Sequence, residues 1–138
     1  MITIKKQEIV KLEDVLHLYQ AVGWTNYTNQ PLMLEQALSH SLVIYLALDG
    51  DSVVGLIRLV GDGFSSVFVQ DLIVLPSYQR QGIGSLLMKE ALKDYKDAYQ
   101  VQLVTEETER TLGFYRSMGF EILSTYNCIG MTWVNREK

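Results

Sequence analysis

One cysteine, Cys128, is all the sulfhydryl chemistry the sequence offers, so no intrachain disulfide can form, in keeping with a reducing compartment. Positive charge is also scarce. Twelve Lys and Arg against sixteen Asp and Glu leave a formal net charge of −4. No global positive field is therefore available to hold nucleic acid or an anionic membrane, and neither is expected as a partner. No apolar run approaches the roughly 20 residues of a membrane span, and Met1 to Glu8 lacks the apolar core of a signal peptide. These absences predict a cytoplasmic protein. The two histidines, His17 and His40, stand far apart, and no His-x3-His or Cys-x2-Cys spacing occurs, so no metal site is expected. With no histidine beside it in sequence, Cys128 reads as a small buried apolar residue rather than a nucleophile. No repeat, low-complexity segment or linker interrupts the 138 residues, and one domain, 1–138, is expected.

What is present is a globular composition, 48 % hydrophobic and 20 % charged, with clear periodicity. Ile2 and Ile4 alternate with polar neighbours as in a half-buried strand. Leu12, Val15, Leu16, Leu18, Tyr19 and Val22 recur at helical spacing, with Gly23 as a stop. Pro31 suits the first turn of a second helix reaching about Ser39. Leu42–Leu48, Val53–Val60 and Phe64–Leu75 read as three strands joined at Asp49-Gly50-Asp51 and Gly61-Asp62-Gly63. Pro76 ends the third. Gly82 to about Lys96 carries an apolar stripe of Ile83, Leu87, Ala91 and Tyr95. A short strand, Val101–Val104, a helix from Glu107 to Met118 and one or two strands within Phe120–Trp133 complete the expectation.

The informative stretch is the strand-to-helix passage Pro76-Ser77-Tyr78-Gln79-Arg80-Gln81-Gly82-Ile83-Gly84. Two glycines opening a helix permit close backbone approach and leave first-turn N–H groups unbonded. Those groups, with the positive end of the helix dipole, suit phosphate oxygens. The string is neither a Walker loop, which needs Gly-x4-Gly-Lys-Ser/Thr, nor a dinucleotide fingerprint, because Leu87 stands where the third small residue belongs. A plain sharp turn remains the other reading.

Gln79-Arg80-Gln81-Gly82-Ile83-Gly84 resembles the Gln/Arg-x-x-Gly-x-Gly/Ala signature of the GNAT N-acetyltransferase superfamily. Phe114-Tyr115-Arg116-Ser117-Met118-Gly119-Phe120-Glu121 is similar to that family's Phe-Tyr-x-x-x-Gly-Phe-Glu, in the same order along the chain. The resemblance implies an α/β (α+β) fold: a mixed sheet of six to seven strands, about four helices and a V-shaped splay between strands 4 and 5. It implies acetyl-CoA as co-substrate, its pyrophosphate on the backbone of Gln79, Arg80, Gln81, Gly82, Ile83, Gly84 and Ser85. The pantetheine would pair with the backbone of Ile73, Val74 and Leu75 in the manner of an added strand. Tyr115 would be the acid that protonates the leaving thiolate, a phenol being protonated at neutral pH. Asp71 would be the base that deprotonates the acceptor, an electrostatic anchor for the amine, or a partner for neighbouring backbone N–H groups. Thr108 stands where many relatives have an asparagine that contacts pantetheine, so that contact is not expected. The activity implied is direct acetyl transfer to a primary amine, a small amine or a protein lysine. The competing class is a non-catalytic acyl-CoA-binding module of the same fold. Gly23-Trp24 and Gly130-Met131-Thr132-Trp133 are also similar to the serotonin N-acetyltransferase-like branch of plants and bacteria. That similarity makes Trp24, Tyr27 and Tyr126 candidate acceptor contacts, the alternative being that Trp24 and Trp133 simply close the core. A homodimer through Ile122–Trp133 is the expected assembly.

Overall fold

In the computed structural model, residues 1–137 are described. They group into two compact units, Met1–Leu103 and the segment from Val104 onward. The first unit holds a five-stranded sheet in the order β1 (Ile2–Gln7), β2 (Val43–Asp49), β3 (Ser52–Gly61), β4 (Ser66–Val74) and β5 (Gln100–Leu103). Neighbours are antiparallel from β1 to β4, whereas β4 and β5 run parallel. The parallel pair needs a crossover, supplied by α4 (Ile83–Asp94). Three helices precede β2: α1 (Leu12–Ala21), a single turn α2 (Thr25–Thr28) and α3 (Pro31–Ser39).

The residue pattern explains the layers. β2 is buried at every position from Val43 to Ala47, as a strand covered on both faces must be. On one face Ile44, Leu46, Leu56 and Ile73 join Val15, Leu18 and Tyr19 of α1 and Leu34 and Leu38 of α3. On the other, Ala47 and Gly55 approach Leu87 of α4. A Cβ on Gly55 would lie 2.8 Å from the Ile73 carbonyl oxygen, so only glycine lets β4 close on β3 at this point. The buried stripe of α4 is Ile83, Leu87, Met88 and Ala91, and Tyr45 Oη donates to Asp94 Oδ2 at 2.6 Å, fastening β2 to its last turn. The β3–β4 turn is held by Asp62, whose Oδ1 accepts from the N–H groups of Phe64 and Ser65, both at 2.7 Å, and of Ser66 at 3.2 Å.

The second unit contains α5 (Glu109–Ser117) and a short 3-10 turn, Leu123–Tyr126. Thr108 caps α5, its hydroxyl accepting from the Thr111 N–H at 3.1 Å. The expectation of six to seven strands is corrected here: five strands form among the described residues, and Phe120–Trp133 supplies none. In that segment Met131 is 91 % and Trp133 83 % exposed. Trp133 therefore does not close the core. Cys128 is likewise exposed rather than buried, its thiol directed at the Tyr126 carbonyl.

Candidate active site

β4 pairs with β5 only over Ser66–Val69, opposite Gln100–Leu103, and then continues through Gln70–Val74 against β3 alone. Pairing between the two strands ends at Val69 and Leu103, and among the described residues no strand pairs with the other edge of β4 over Gln70–Val74. Ile73 and Val74 lie on this stretch, and Leu75 follows directly, its N–H bonded to the Val54 carbonyl at 2.8 Å. The Ile73 side chain is core, so what β4 offers toward the opening is backbone.

Beyond Val74 the chain turns through Pro76–Tyr78, pinned by Tyr78 Oη donating to Asp49 Oδ2 at 2.6 Å and by Gln79 Nε2 donating to the Val74 carbonyl at 3.0 Å. Arg80 and Gly82 both adopt left-handed backbone, φ 66° and 79°. A non-glycine residue in that region costs about 1–2 kcal/mol, and such strain concentrates at functional turns. Alternating left- and right-handed conformations turn successive N–H groups into one concavity, a nest for an anion. Gly82 is the N-cap of α4 and no side chain caps the helix, which leaves the first-turn N–H groups of Ile83, Gly84 and Ser85 to a ligand. A Cβ at Gly82 would meet nothing within 4 Å, so the space over this turn is open. Strand edge and helix start together fit a long ligand with amide groups at one end and phosphates at the other.

Asp71 lies beside a β-bulge of β4. β4 residues Asp71 and Val69 pair with the consecutive β3 residues Arg58 and Leu59, and Gln70 is the extra residue. Asp71 is 2 % exposed and Arg58 4 %, with Arg58 Nε 2.7 Å from Asp71 Oδ2. Tyr19 Oη donates to the same oxygen at 2.8 Å, and Tyr27 Oη donates to Oδ1 at 3.0 Å. Burial and then the Asp71 charge push the Tyr19 phenol far up, and the same two causes raise Tyr27 less. Burial opposes the Arg58 charge, but Asp71 outweighs it and the guanidinium is held more firmly protonated. Gly23, at φ 72°, ends α1, and the α2 turn swings Tyr27 back to 5.1 Å from the Tyr19 ring, with Trp24 6.1 Å from Tyr19. Trp24 and Tyr27 are thus brought together beside Asp71.

The other site candidates lie in the second unit. Tyr115, on α5, packs edge-on to Phe114 at 5.0 Å and Phe120 at 5.9 Å. Burial raises its phenol above the ordinary value, with the Thr105 hydroxyl opposing. Tyr126 is exposed and donates to the Glu121 carboxylate. Arg58 and the Tyr19 hydroxyl are functional candidates that sequence reasoning missed. A signal existed: one arginine and one aspartate, each alone in an apolar strand, on neighbouring strands of a meander.

Residues 40–122 match the family model described as acetyltransferase (GNAT) domain. The chain is 85 % identical to a GNAT-family acetyltransferase from Streptococcus pneumoniae TIGR4, whose solved structure superposes with a TM-score of 0.91 over 99 % of both chains. It is 33 % identical over 91 residues to the chloroplastic serotonin N-acetyltransferase 2 of Oryza sativa subsp. japonica, spanning 63 % of this chain and 46 % of that protein. A solved aminoglycoside N-acetyltransferase in complex with CoA shares the fold, with a TM-score of 0.74 at 16 % identity over 99 % of this chain and 95 % of that one.

Proposed function

Because the chain belongs to the acetyltransferase (GNAT) family, we propose that it moves the acetyl group of acetyl-CoA directly to a primary amine. A small amine and a protein lysine both fit this reading, and the likeness to the rice enzyme makes arylalkylamines the first to test. The observation that carries it is that the unpaired β4 edge leads, within ten residues of chain, to the start of α4, which no side chain caps. In this reading the backbone of Ile73, Val74 and Leu75 pairs with the pantetheine amides. The N–H groups from Gln79 to Ser85, through Arg80, Gln81, Gly82, Ile83 and Gly84, receive the pyrophosphate. Acetyl-CoA supplies an acyl group activated as a thioester.

Tyr115 is the proton donor to the departing thiolate. Its raised phenol keeps its proton throughout the neutral range, as this role requires. Asp71 serves as an anchor rather than a base: Arg58 and Tyr19 donate to Oδ2 and Tyr27 to Oδ1, and these three bonds with the neighbouring guanidinium favour the charged carboxylate over one that takes up a proton. The amine then gives its proton to water. Trp24 and Tyr27, beside Asp71, are the proposed acceptor contacts of the first unit, and Tyr126 is the one proposed in the second. The exposed apolar residues Ile129, Met131 and Trp133 support pairing with a second copy of the chain through the C-terminal segment.

Incubation with acetyl-CoA and a panel of arylalkylamines, alkylamines and lysine peptides, followed by release of free thiol, tests the activity. Tyr115→Phe keeps the ring and removes the proton, and should cost turnover about 10²–10⁴-fold with CoA affinity unchanged. Turnover within about threefold of wild type would assign the proton to water or to another residue.

A further inference from the structure

Arg58 and Asp71 are the buried charged side chains of the described core. Stability alone does not account for them, because a buried ion pair is commonly replaced by apolar residues with no loss. What the pair does that apolar side chains could not is to orient a third group. Arg58 has a donor for each of four acceptors: Nε to Asp71 Oδ2 at 2.7 Å, Nη1 to Ser41 Oγ at 3.2 Å and to the Ala37 carbonyl at 3.4 Å, and Nη2 to Tyr27 Oη at 3.2 Å. The guanidinium is fixed by both β4 and the end of α3, and it delivers one N–H to the phenol of Tyr27.

That phenol has one proton and two lone pairs. The proton goes inward to Asp71 Oδ1, and one lone pair takes the Nη2 donor. The remaining acceptor capacity meets only Gln70 Nε2 at 3.4 Å, a long contact from an exposed side chain on the bulge. An N–H donor arriving at the opening can displace that amide at little cost.

Resting on the acceptor-side reading above, we infer that Arg58 is a positioning residue that sets the Tyr27 hydroxyl as a fixed hydrogen-bond acceptor for the N–H of the incoming amine. Arg58 itself touches no substrate. The selected acceptor is a primary amine small enough at its nitrogen to reach Tyr27 Oη in place of Gln70. No proton is taken up at this point, because the phenol is already a donor to Asp71.

A kinetic double-mutant cycle tests this, with phenethylamine as the probe acceptor and Arg58→Lys and Tyr27→Phe as the variants. Tyr27→Phe should raise the acceptor KM about tenfold, the value of one hydrogen bond from a charged donor. Arg58→Lys should raise it about three- to tenfold, and the acetyl-CoA KM should stay within about twofold in both. The double variant should match Tyr27→Phe alone within about twofold, since Arg58 acts only through that hydroxyl. Ser41→Ala, which removes one Nη1 partner and leaves the ion pair, should shift the acceptor KM in the same direction by less, and it serves should Arg58→Lys fail to fold. Effects that multiply in the double variant, an unchanged acceptor KM in Ser41→Ala and Arg58→Lys, or an acetyl-CoA KM that rises in parallel would overturn the assignment. Thiol release by wild type with phenethylamine alongside any of those results leaves the transfer reading standing. No thiol release by wild type with any amine of the panel overturns both.

Discussion

Gly82 allows charge and backbone geometry to be separated at the turn proposed to hold phosphate. It has φ 79°, and a Cβ there meets no atom within 4 Å, so a side chain costs conformational strain and nothing steric. For alanine that strain is about 1–2 kcal/mol, whereas asparagine and aspartate enter the left-handed region more readily. Gly82→Asn and Gly82→Asp therefore share a shape and a backbone cost and differ by one negative charge. Two unit charges 4 Å apart interact by about 1 kcal/mol in bulk water and about 4 kcal/mol at an effective dielectric of 20. Gly82 is exposed, so each phosphate charge near it should feel about 1–2 kcal/mol of repulsion. Calorimetric titration with CoA should then find the aspartate variant about 5–30-fold weaker than the asparagine variant. The gap should shrink as salt is raised from 0.1 M toward 1 M, where the screening length falls from about 10 Å to about 3 Å. Thermal melts of the two should coincide within the strain common to both. Equal CoA affinity for Asn and Asp at low salt would refute the placement of phosphate over this turn.

Two further outcomes are expected. Asp62 is held well below the ordinary carboxylate range, by the Ser65 hydroxyl first and then by the N–H groups of Phe64, Ser66 and Ser65, so its contribution to folding is present above about pH 4 and lost as pH falls toward its folded value. Urea midpoints of wild type and Asp62→Asn should accordingly converge between pH 5 and about pH 2.5, and a gap constant over that window would remove Asp62 from the turn's stability. Light scattering at micromolar concentration should report a dimer that Trp133→Glu dissociates; a wild-type monomer ends that reading.

Most of the first unit was legible because its signals are local. α3 runs Pro31–Ser39 as the proline and the apolar spacing require, and α1 stops at the glycine that can turn left-handed. β2 and β3 sit where the turn residues Asp49-Gly50-Asp51 bound them. The α2 turn was missed, since Thr25–Thr28 has no apolar period of its own and is set by Tyr27 packing on Tyr19. The C-terminal segment misled for the opposite reason. Its apolar and aromatic residues have strand propensity, but propensity is realised only against a neighbouring strand, and β5 is the last strand of the observed order.

The left-handed turn at Gly82 was readable because glycine identity encodes backbone conformation directly, whereas the Asp71 cluster depends on a register that no single strand contains. Strict alternation along β4 would put Val67, Val69, Asp71 and Ile73 on one face. Alternation on β3 puts Arg58 with Leu56, on the face toward α1 and α3, and Leu59 with Ile57 on the other. Val69 opposes Leu59 and Asp71 opposes Arg58, so the odd-numbered residues of β4 change faces at Gln70. One extra residue thus does two things at once. It turns a carboxylate away from α4 and inward to Arg58, Tyr19 and Tyr27, and it leaves the Gln70 amide on the exposed side, 3.4 Å from the hydroxyl that the cluster holds in place. Without the bulge Asp71 would share a face with Leu59 and the α4 stripe, unpaired, and the charge of Arg58 would be buried alone at a cost of about 3–5 kcal/mol.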